Sequence, residues 1–217
     1  MTQRIKNLIK EKPYCKILLY FIFYLAGFLI LEQTITAKYI IYCPLDDYIP
    51  FCEWFLIPYA SWFILLIGAP IYFLMTDKRD FLKLTFIMFN GMTICLILYA
   101  VFPNGLNLRT EVTGTNILCQ IAKLIYTVDT PTNVCPSIHV ASSIAVNITV
   151  QHSVRLKKRT HLRIAVFLWT ALISISTVFV KQHSVIDVLC GILLSILLGL
   201  IAYSPWMEKH SPFKTNA

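Results

Sequence analysis

Two residues near the C-terminal end of the chain have the spacing of an activated nucleophile. His183 and Asp187 lie four residues apart, about one helical turn, where one long apolar run ends and the next begins. If a helix starts here, the Asp187 carboxylate can hold one ring N–H of His183 and leave the other nitrogen with a free lone pair. The residues from Ser184 to Asp187 also form an S-x-x-D capping box, which requires no catalysis. From the residues alone, both interpretations stay open.

A second histidine has a comparable setting. The segment DTPTNVCPSIHVASS, residues 129–143, leads into another apolar run, and Pro136 suits the first turn of a helix. Ser137 and His139 are then expected at a helix N-terminus, where free N–H groups and the helix dipole attract anions. A lone histidine at such a place is more often structural than catalytic, so its role depends on where the chain positions it.

The elements that carry these residues are expected to lie in a membrane. Of 217 residues, 57% are hydrophobic and only 14% are charged, which leaves too little polar surface for a soluble globular domain. A bilayer core about 30 Å thick needs roughly 20 apolar residues per helix. Six segments approach that length: 17–31, 54–75, 84–102, 137–154, 164–180 and 185–203. We therefore expect one all-α membrane domain, residues 1–217, with six transmembrane helices.

The fourth of these segments is polar for a transmembrane helix. It carries five polar side chains, which are Ser142, Ser143, Asn147, Thr149 and Gln151. Such side chains are expensive to expose to lipid. We expect this helix to face the interior of the bundle.

The basic residues predict the orientation of the chain. If the N-terminus is cytoplasmic, 15 of the 19 lysines and arginines lie inside and four lie outside, a strong bias under the positive-inside rule. The inner residues are Arg4, Lys6, Lys10, Lys12, Lys16, Lys78, Arg79, Lys83, Arg155, Lys157, Lys158, Arg159, Arg163, Lys209 and Lys214. The outer residues are Lys38, Arg109, Lys123 and Lys181. The net charge of +8 therefore reflects topology, and we expect no nucleic-acid partner.

The first apolar segment has a second interpretation, as a signal peptide. A basic start precedes a short apolar run, as in secretory signals. The candidate cleavage site, Thr34-Ile35-Thr36 before Ala37, lacks the usual pattern of small residues. An uncleaved first transmembrane helix is the preferred interpretation.

Four of the seven cysteines fall outside under this topology: Cys43, Cys52, Cys119 and Cys135. They could form two disulfides or remain free thiols. No C-x-x-C pair is present, so a zinc site of the usual kind is not indicated. Asp46 and Asp47, in the loop after the first helix, are expected to be solvated.

Arg109 is the only arginine on the predicted outer face. It follows a turn marked by Pro103, Asn104 and Gly105. A guanidinium at this place can bind two oxygens of a phosphate, although a solvated or headgroup-bound arginine fits equally well. Apolar residues at helical spacing over 117–125 then predict a short amphipathic helix at the outer interface.

Parity brings the chemically interesting residues to one side of the membrane. Two predicted transmembrane helices separate His139 from His183, so both lie on the outer face together with Arg109. Each histidine is then expected at a helix N-terminus on that face.

These motifs resemble those of a known family. P-S-x-H at residues 136–139, followed by S-x6-H-x3-D at residues 176–187, is similar in order and spacing to the type-2 phosphatidic acid phosphatase superfamily. The resemblance covers roughly residues 102–187. It implies a membrane helical bundle with an outward-facing site that cleaves phosphate esters through a phosphohistidine, with no metal and no cofactor.

The resemblance also implies a role for individual residues. His183 corresponds to the nucleophile and Asp187 to the carboxylate that orients it. His139 corresponds to the acid that protonates the leaving group, and Ser137 to a phosphate ligand.

The sequence departs from the family at its cations. The first family motif, K-x6-R-P, is matched only by Arg109, because Phe102 and Thr110 stand in place of the lysine and proline. The third motif usually begins S-R, and here Thr177 replaces the arginine. Removing one preorganised donor can cost on the order of 100- to 1000-fold in rate. Arg109 and Lys181 are expected to supply the missing positive charge to the phosphate.

The most direct expectation is an integral membrane enzyme that hydrolyses a lipid phosphate or diphosphate at the outer leaflet. Its substrate phosphate is expected between the N-termini of the fourth and sixth helices. We expect a plasma-membrane location, with both termini cytoplasmic and the site extracytoplasmic. The H-x3-D motif without its arginine is also similar to the inositolphosphotransferase and sphingomyelin synthase branch, which transfers a phospho-headgroup to a lipid alcohol. A third alternative is a non-catalytic scaffold or transporter.

The orientation can be tested with the outer cysteines. In intact cells, after reduction, Cys43 and Cys135 are expected to react with a membrane-impermeant thiol reagent. Labelling that occurs only after lysis would reverse the orientation and remove the argument that both histidines share the outer face.

Overall fold

The structure of the chain, a computed structural model, describes residues 10–210. Arg4, Lys6 and Lys214, which the topology assigns to the inner side, lie outside the described residues. In chain order the helices are α1 (Tyr20–Thr34), α2 (Leu56–Thr76), α3 (Lys78–Val101), α4 (Ile117–Val128), α5 (Ile138–His152), α6 (Thr160–Phe179), α7 (Val185–Ala202) and α8 (Pro205–His210). Short 3-10 turns cover Pro13–Leu19, Pro44–Tyr48 and Glu53–Phe55. Two strands of two residues, β1 (Tyr39–Ile40) and β2 (Asn104–Gly105), pair in parallel.

The expectation of an all-α membrane bundle is confirmed. In the described range, five helical segments are long and apolar enough to cross a membrane: Pro13–Thr34, Glu53–Thr76, Lys78–Val101, Thr160–Phe179 and Val185–Ala202. The predicted fourth span becomes α5, whose 15 residues reach about 22 Å at the helical rise. This is less than the thickness of a bilayer core of about 30 Å. The count of six transmembrane helices therefore stays a prediction.

Helix α5 lies at the centre of the bundle, packed against α3, α6 and α7. Its polar residues Ser142, Ser143 and Thr149 are buried, as predicted for a helix that faces the interior. Ser142 and Thr149 donate their hydroxyl protons to backbone carbonyls one turn earlier. The helix that begins at the P-S-x-H motif is thus enclosed by protein rather than exposed to lipid.

Small residues let α7 approach α5 closely. A Cβ atom at Gly191 would lie 2.8 Å from the carbonyl oxygen of Ser137, and one at Gly199 would lie 3.1 Å from the Ile148 side chain. Ser195, which lies between these two glycines in α7, donates a hydrogen bond of 2.6 Å from its Oγ to the carbonyl oxygen of Ala141 in α5. Glycine or serine at every fourth position is the pattern by which membrane helices pack backbone to backbone. This contact fixes the separation of the two helix N-termini.

The expectation that Asp46 is solvated is wrong, because the residue is fully buried at the N-terminus of α7. Its Oδ1 accepts a hydrogen bond of 2.9 Å from Val185 N–H, and its Oδ2 accepts from Ser184 Oγ at 2.6 Å and from Cys43 N–H at 2.8 Å. Its own carbonyl oxygen accepts from Lys181 Nζ at 2.9 Å. A carboxylate is favourable at a helix N-terminus, where N–H groups lack partners. The loop after α1 is therefore anchored to the start of α7.

The opposite end of the bundle holds several of the predicted inner cations. The buried Lys83 donates to Glu208 at 2.9 Å and lies over the Tyr203 ring, while Arg79 also pairs with Glu208. These contacts attach α8 to α3. They lower the pKa of Glu208, since both cations favour its charged form.

The anchor at Asp46 can be tested by substitution. Replacing Asp46 with alanine leaves several buried donors without an acceptor, so we expect Asp46→Ala to lower the free energy of unfolding in detergent by about 2–4 kcal/mol. Asp47→Ala is the matched control, because Asp47 is exposed and such surface changes cost less than about 0.5 kcal/mol. Equal stabilities of the two variants would show that the buried carboxylate is not an anchor.

Candidate active site

His183 and Asp187 have the arrangement that their spacing predicts. His183 Nδ1 lies 3.4 Å from Asp187 Oδ2, in the segment that opens α7. The same carboxylate oxygen accepts a shorter hydrogen bond, 2.8 Å, from the backbone N–H of Ser184, and Ser184 Oγ completes the capping box. The capping and the orienting interpretation are therefore compatible, since one carboxylate does both. With Nδ1–H facing Asp187, the lone pair of His183 lies on Nε2.

A tight turn before α7 sets the direction of His183. The carbonyl oxygen of Thr177 accepts hydrogen bonds from the N–H groups of both Gln182 and His183, at 3.0 and 3.1 Å. Lys181 in this turn has a φ of 55°, a left-handed conformation that costs energy for a residue with a Cβ. The bond from Lys181 Nζ to Asp46 holds this residue in place.

Two of the predicted phosphate ligands lie away from open space. Lys181 is 5% exposed and points to Asp46, so its role as a phosphate ligand stays a prediction that this geometry does not favour. Ser137 is fully buried and caps α5, with its Oγ accepting from Val140 N–H at 3.4 Å. Pro136 precedes this cap rather than forming the first turn of the helix. Ser137 N–H donates to the Asp187 carbonyl at 3.1 Å, which joins the two motifs through the backbone.

His139 lies beside His183, so the two histidines share one end of the bundle, as the parity argument predicts. The centroids of the two imidazole rings are 5.7 Å apart. On its other sides the His139 ring packs against Tyr59 at 4.7 Å and Trp62 at 4.2 Å between centroids. Trp62 is itself fixed by a hydrogen bond of 2.7 Å from Nε1 to Ser142 Oγ. Two aromatic rings of α2 thus hold the second histidine beside the first.

Arg109 is connected to the surroundings of His183 through Gln182 and Asp129. Its Nη2 donates to Gln182 Oε1 at 2.9 Å and to Asp129 Oδ2 at 3.3 Å. Its Nη1 donates to the carbonyl oxygens of Tyr126 and Asp129, at 3.1 and 2.7 Å, and the guanidinium lies over the Tyr126 ring. Arg109 is therefore mostly buried and bound by protein groups rather than solvated. It is held at the C-terminal end of α4.

Asp129 is an acidic group that sequence reasoning did not single out. Burial raises the pKa of its carboxyl group to about 6, with Glu32 acting in the same direction and Arg109 and His183 opposing the rise. The side chain is 38% exposed, so solvent moderates the effect of burial. At neutral pH the group is ionised and pairs with Arg109.

A pocket of about 480 Å³ opens beside the two histidines. Its walls are mainly apolar and come from α1, α2 and α4, together with the loop before α5. The apolar and aromatic residues of these walls include Tyr24, Leu25, Phe28, Tyr59, Trp62, Phe63, Leu124, Ile125 and Val128. Its polar lining residues are Asp129, Thr130, Thr132, Asn133, His139, Gln182 and His183. Of these, His139 and His183 are ring neighbours, and Asp129 and Gln182 both accept from Arg109. We call the part of the pocket around His139, Gln182 and His183 its polar end. The pocket therefore combines mainly apolar walls with polar side chains around the two histidines.

Asn104 organises the loop that leads to α5, a role that its place in a predicted turn did not indicate. The buried side chain accepts hydrogen bonds from the N–H groups of Val134 and Cys135 at 2.9 and 2.8 Å, and donates to the Cys135 carbonyl at 3.1 Å. Tyr99 OH donates to the Pro136 carbonyl at 2.6 Å. The end of α3 thus fixes the approach to the P-S-x-H motif.

All seven cysteines lie in the described range and are free thiols, the second of the two alternatives. Burial, followed by the nearby Asp187 and Cys190, raises the pKa of Cys135. Because the thiolate is the reactive form, Cys135 is expected to react slowly with the labelling reagent. Within residues 10–210, no cluster of histidine, cysteine and acidic side chains is suited to hold a metal ion.

Comparisons with known proteins agree with this geometry. A model of the PAP2 superfamily matches residues 114–210, which include both histidines and Asp187 but not Arg109. Among solved structures, the crystal structure of Aquifex aeolicus LpxE is similar in fold, with a TM-score of 0.53 and 17% sequence identity, over 82% of this chain and 93% of that one. The search of curated proteins gives no significant match. These findings agree with the resemblance that the motifs predicted: residues 114–210 are similar to the PAP2 superfamily, and the fold of the chain is similar to that of LpxE.

Proposed function

We propose that this protein hydrolyses the phosphate ester of a membrane lipid through a phosphohistidine at His183. The family and the membrane-bundle fold support a phosphatase of the lipid type. The observation that carries the proposal is the convergence of His139 and His183, 5.7 Å apart between ring centroids, at the polar end of an apolar pocket. Neither a cap nor a packing role requires two imidazoles to meet there.

The first step of the proposed reaction forms the phosphoenzyme. The Nε2 lone pair of His183 attacks phosphorus, and the bond between phosphorus and the lipid oxygen breaks. The leaving oxygen takes a proton from His139, and Asp187 stabilises the positive charge that develops on the His183 ring. The products are a lipid alcohol and a phosphorylated His183.

The second step returns the enzyme to its starting state. A water molecule attacks phosphorus, His139 accepts the proton of that water, and the bond between phosphorus and Nε2 breaks. Inorganic phosphate leaves. His139 thus acts first as acid and then as base, which is the reason for placing it within reach of His183.

The negative charge of the substrate phosphate needs nearby positive charge or hydrogen-bond donors. Several of the groups expected to supply them are already bound to other parts of the protein. The N-terminus of α7 is already taken by the Asp46 carboxylate, so the expectation that this helix end binds phosphate is revised. Lys181 Nζ donates to the main-chain carbonyl oxygen of Asp46. Arg109, through Gln182, is the remaining predicted cation with a connection to the pocket.

The apolar walls of the pocket are suited to a hydrocarbon tail. Tyr24, Leu25 and Phe28 of α1 line one side, and α1 is the most exposed of the long helices. A lipid that enters beside α1 keeps its tail in apolar surroundings while its phosphate meets the two histidines. As part of the same proposal, the site faces the outer leaflet of the plasma membrane, both termini are cytoplasmic, and no metal takes part.

The type of reaction can be tested directly with a panel of lipid phosphates. Purified protein in detergent is incubated with phosphatidate, phosphatidylglycerol phosphate and a polyprenyl diphosphate, with and without a lipid alcohol as acceptor, and free phosphate is measured. We expect phosphate release without an acceptor. Product formation only with the acceptor would assign a headgroup transferase, and no reaction in either arm would leave the scaffold or transporter alternative.

The two histidines are separated by trapping the phosphoenzyme with nitrophenyl phosphate, whose leaving group needs no proton. We expect His139→Ala to accumulate labelled enzyme, because loss of a general base slows hydrolysis by about 10²- to 10⁴-fold while the first step survives. His183→Ala should form no label, and Asp187→Asn should form it slowly. The label should be labile to acid and stable to base.

The exposed His161 provides the matched control, since His161→Ala should behave as the wild type. Equal labelling of the wild type and His183→Ala would exclude His183 as the nucleophile.

A further inference from the structure

Gln182 has a buried amide group whose donor side lacks a partner. The residue is 4% exposed and lines the pocket beside His183. Its Oε1 accepts the hydrogen bond from Arg109 Nη2, while its Nε2 is buried and has no hydrogen-bond partner within residues 10–210. Buried donors are almost always paired in native proteins, so an unpaired donor at a pocket needs an explanation.

The orientation of this amide follows from the chemistry of its neighbour. Amide oxygen and nitrogen are assigned from their hydrogen bonds. A guanidinium carries only donors, so the amide atom that meets Arg109 must be the oxygen. The NH₂ group must then face the other way. Arg109 therefore presents the donor side of Gln182 rather than its acceptor side.

Arg109 is itself held firmly enough to fix the amide. Asp129 accepts from it through both its carboxylate and its carbonyl oxygen, and the Tyr126 ring lies against the guanidinium. The Gln182 backbone is fixed as well, because its N–H and that of His183 share the Thr177 carbonyl. A side chain that is constrained at both ends is a preorganised donor.

We propose that Gln182 Nε2 donates a hydrogen bond to a non-bridging oxygen of the phosphate that His183 attacks, and that Arg109 is a positioning residue for this amide. The proposal rests on the proposed function and adds a ligand to it. Gln182 precedes the nucleophile directly, so its amide accompanies His183 at the polar end of the pocket. It would supply a donor in a chain where Thr177 replaces the arginine that the family resemblance leads one to expect.

Orthovanadate binding to the full-length protein in detergent, measured by calorimetry, tests this assignment without requiring turnover. We expect Gln182→Leu to raise the dissociation constant at least about tenfold, as for loss of one hydrogen bond to a charged group. Gln120→Leu is the matched control and should bind as the wild type, because Gln120 is exposed on α4 and bonds only to the Thr115 carbonyl.

Gln182→Glu separates a ligand from a structural role. Glutamate keeps the length of the side chain and an acceptor for Arg109, so a structural role predicts normal folding and normal orthovanadate binding. A ligand role predicts normal thermal unfolding with weaker binding than in Gln182→Leu, since a carboxylate oxygen would face the anion. Wild-type dissociation constants in both variants would overturn the proposal, and so would a wild-type protein that binds no orthovanadate.

The outcome for Gln182 can be told apart from the outcome for the reaction. If the wild type binds orthovanadate in a Gln182-dependent way but releases no phosphate from any lipid, the phosphatase proposal fails and the ligand assignment stands. If the lipids are hydrolysed and Gln182→Leu retains wild-type kcat/KM and orthovanadate binding, the ligand assignment alone fails.

Discussion

The buried carboxylate of Asp46 makes the interactions on which the His183 end of the bundle depends. It satisfies the first backbone N–H of α7 and the hydroxyl group of Ser184, and its main-chain carbonyl receives the ammonium group of Lys181. Those three partners flank His183 on both sides in sequence. The direction of His183, the proposed nucleophile, is thus set by a residue more than 130 positions earlier in the chain. A loop that looks like a simple connection between two membrane helices is part of the foundation of the site.

The same interaction changes the electrostatics around His183. A helix N-terminus is an obvious anion site, but here the Asp46 carboxylate already occupies it, and the Lys181 ammonium group is bound to the main-chain carbonyl oxygen of the same residue. At the pocket itself, Arg109 is paired with Asp129. The charged groups near His183 are therefore bound to other groups of the protein, and the pocket lining includes the neutral amides of Gln182 and Asn133. Preorganised dipoles stabilise developing charge well in surroundings with little water.

Much of this arrangement could be read from the sequence, because it depends on local spacing and on helix count. Four-residue spacing predicted the contact of His183 with Asp187, and parity predicted that His139 would lie on the same face. The five long apolar helices fall within a few residues of their predicted segments. The helix that carries His139 has 15 residues, fewer than its predicted segment, and several of its polar side chains are buried in the bundle.

The parts that could not be predicted depend on contacts between distant loops. Asp46, Asn104 and Asp129 are polar residues in turns, and such residues are usually solvated. No periodic pattern in the sequence identifies the few turn residues whose side chains fold back into the protein. The sequence also gives no signal for Gln182, since its proposed role depends on the orientation that Arg109 imposes on its side-chain amide. These residues became visible only through burial and hydrogen-bond partners.

Because α5 and α7 pack closely, the spacing of the two histidines is independent of the shape of the pocket walls. At Gly191 the contact is between α7 and the backbone of Ser137, so the spacing of the histidine-bearing helices depends on main-chain atoms and not on the side chains that line the pocket. The walls contributed by α1 and α4 are outside that contact. Substitutions in those walls can therefore change the shape of the pocket while the distance between His139 and His183 stays constant. The architecture allows the pocket to change shape without a matching change in the arrangement of the two histidines.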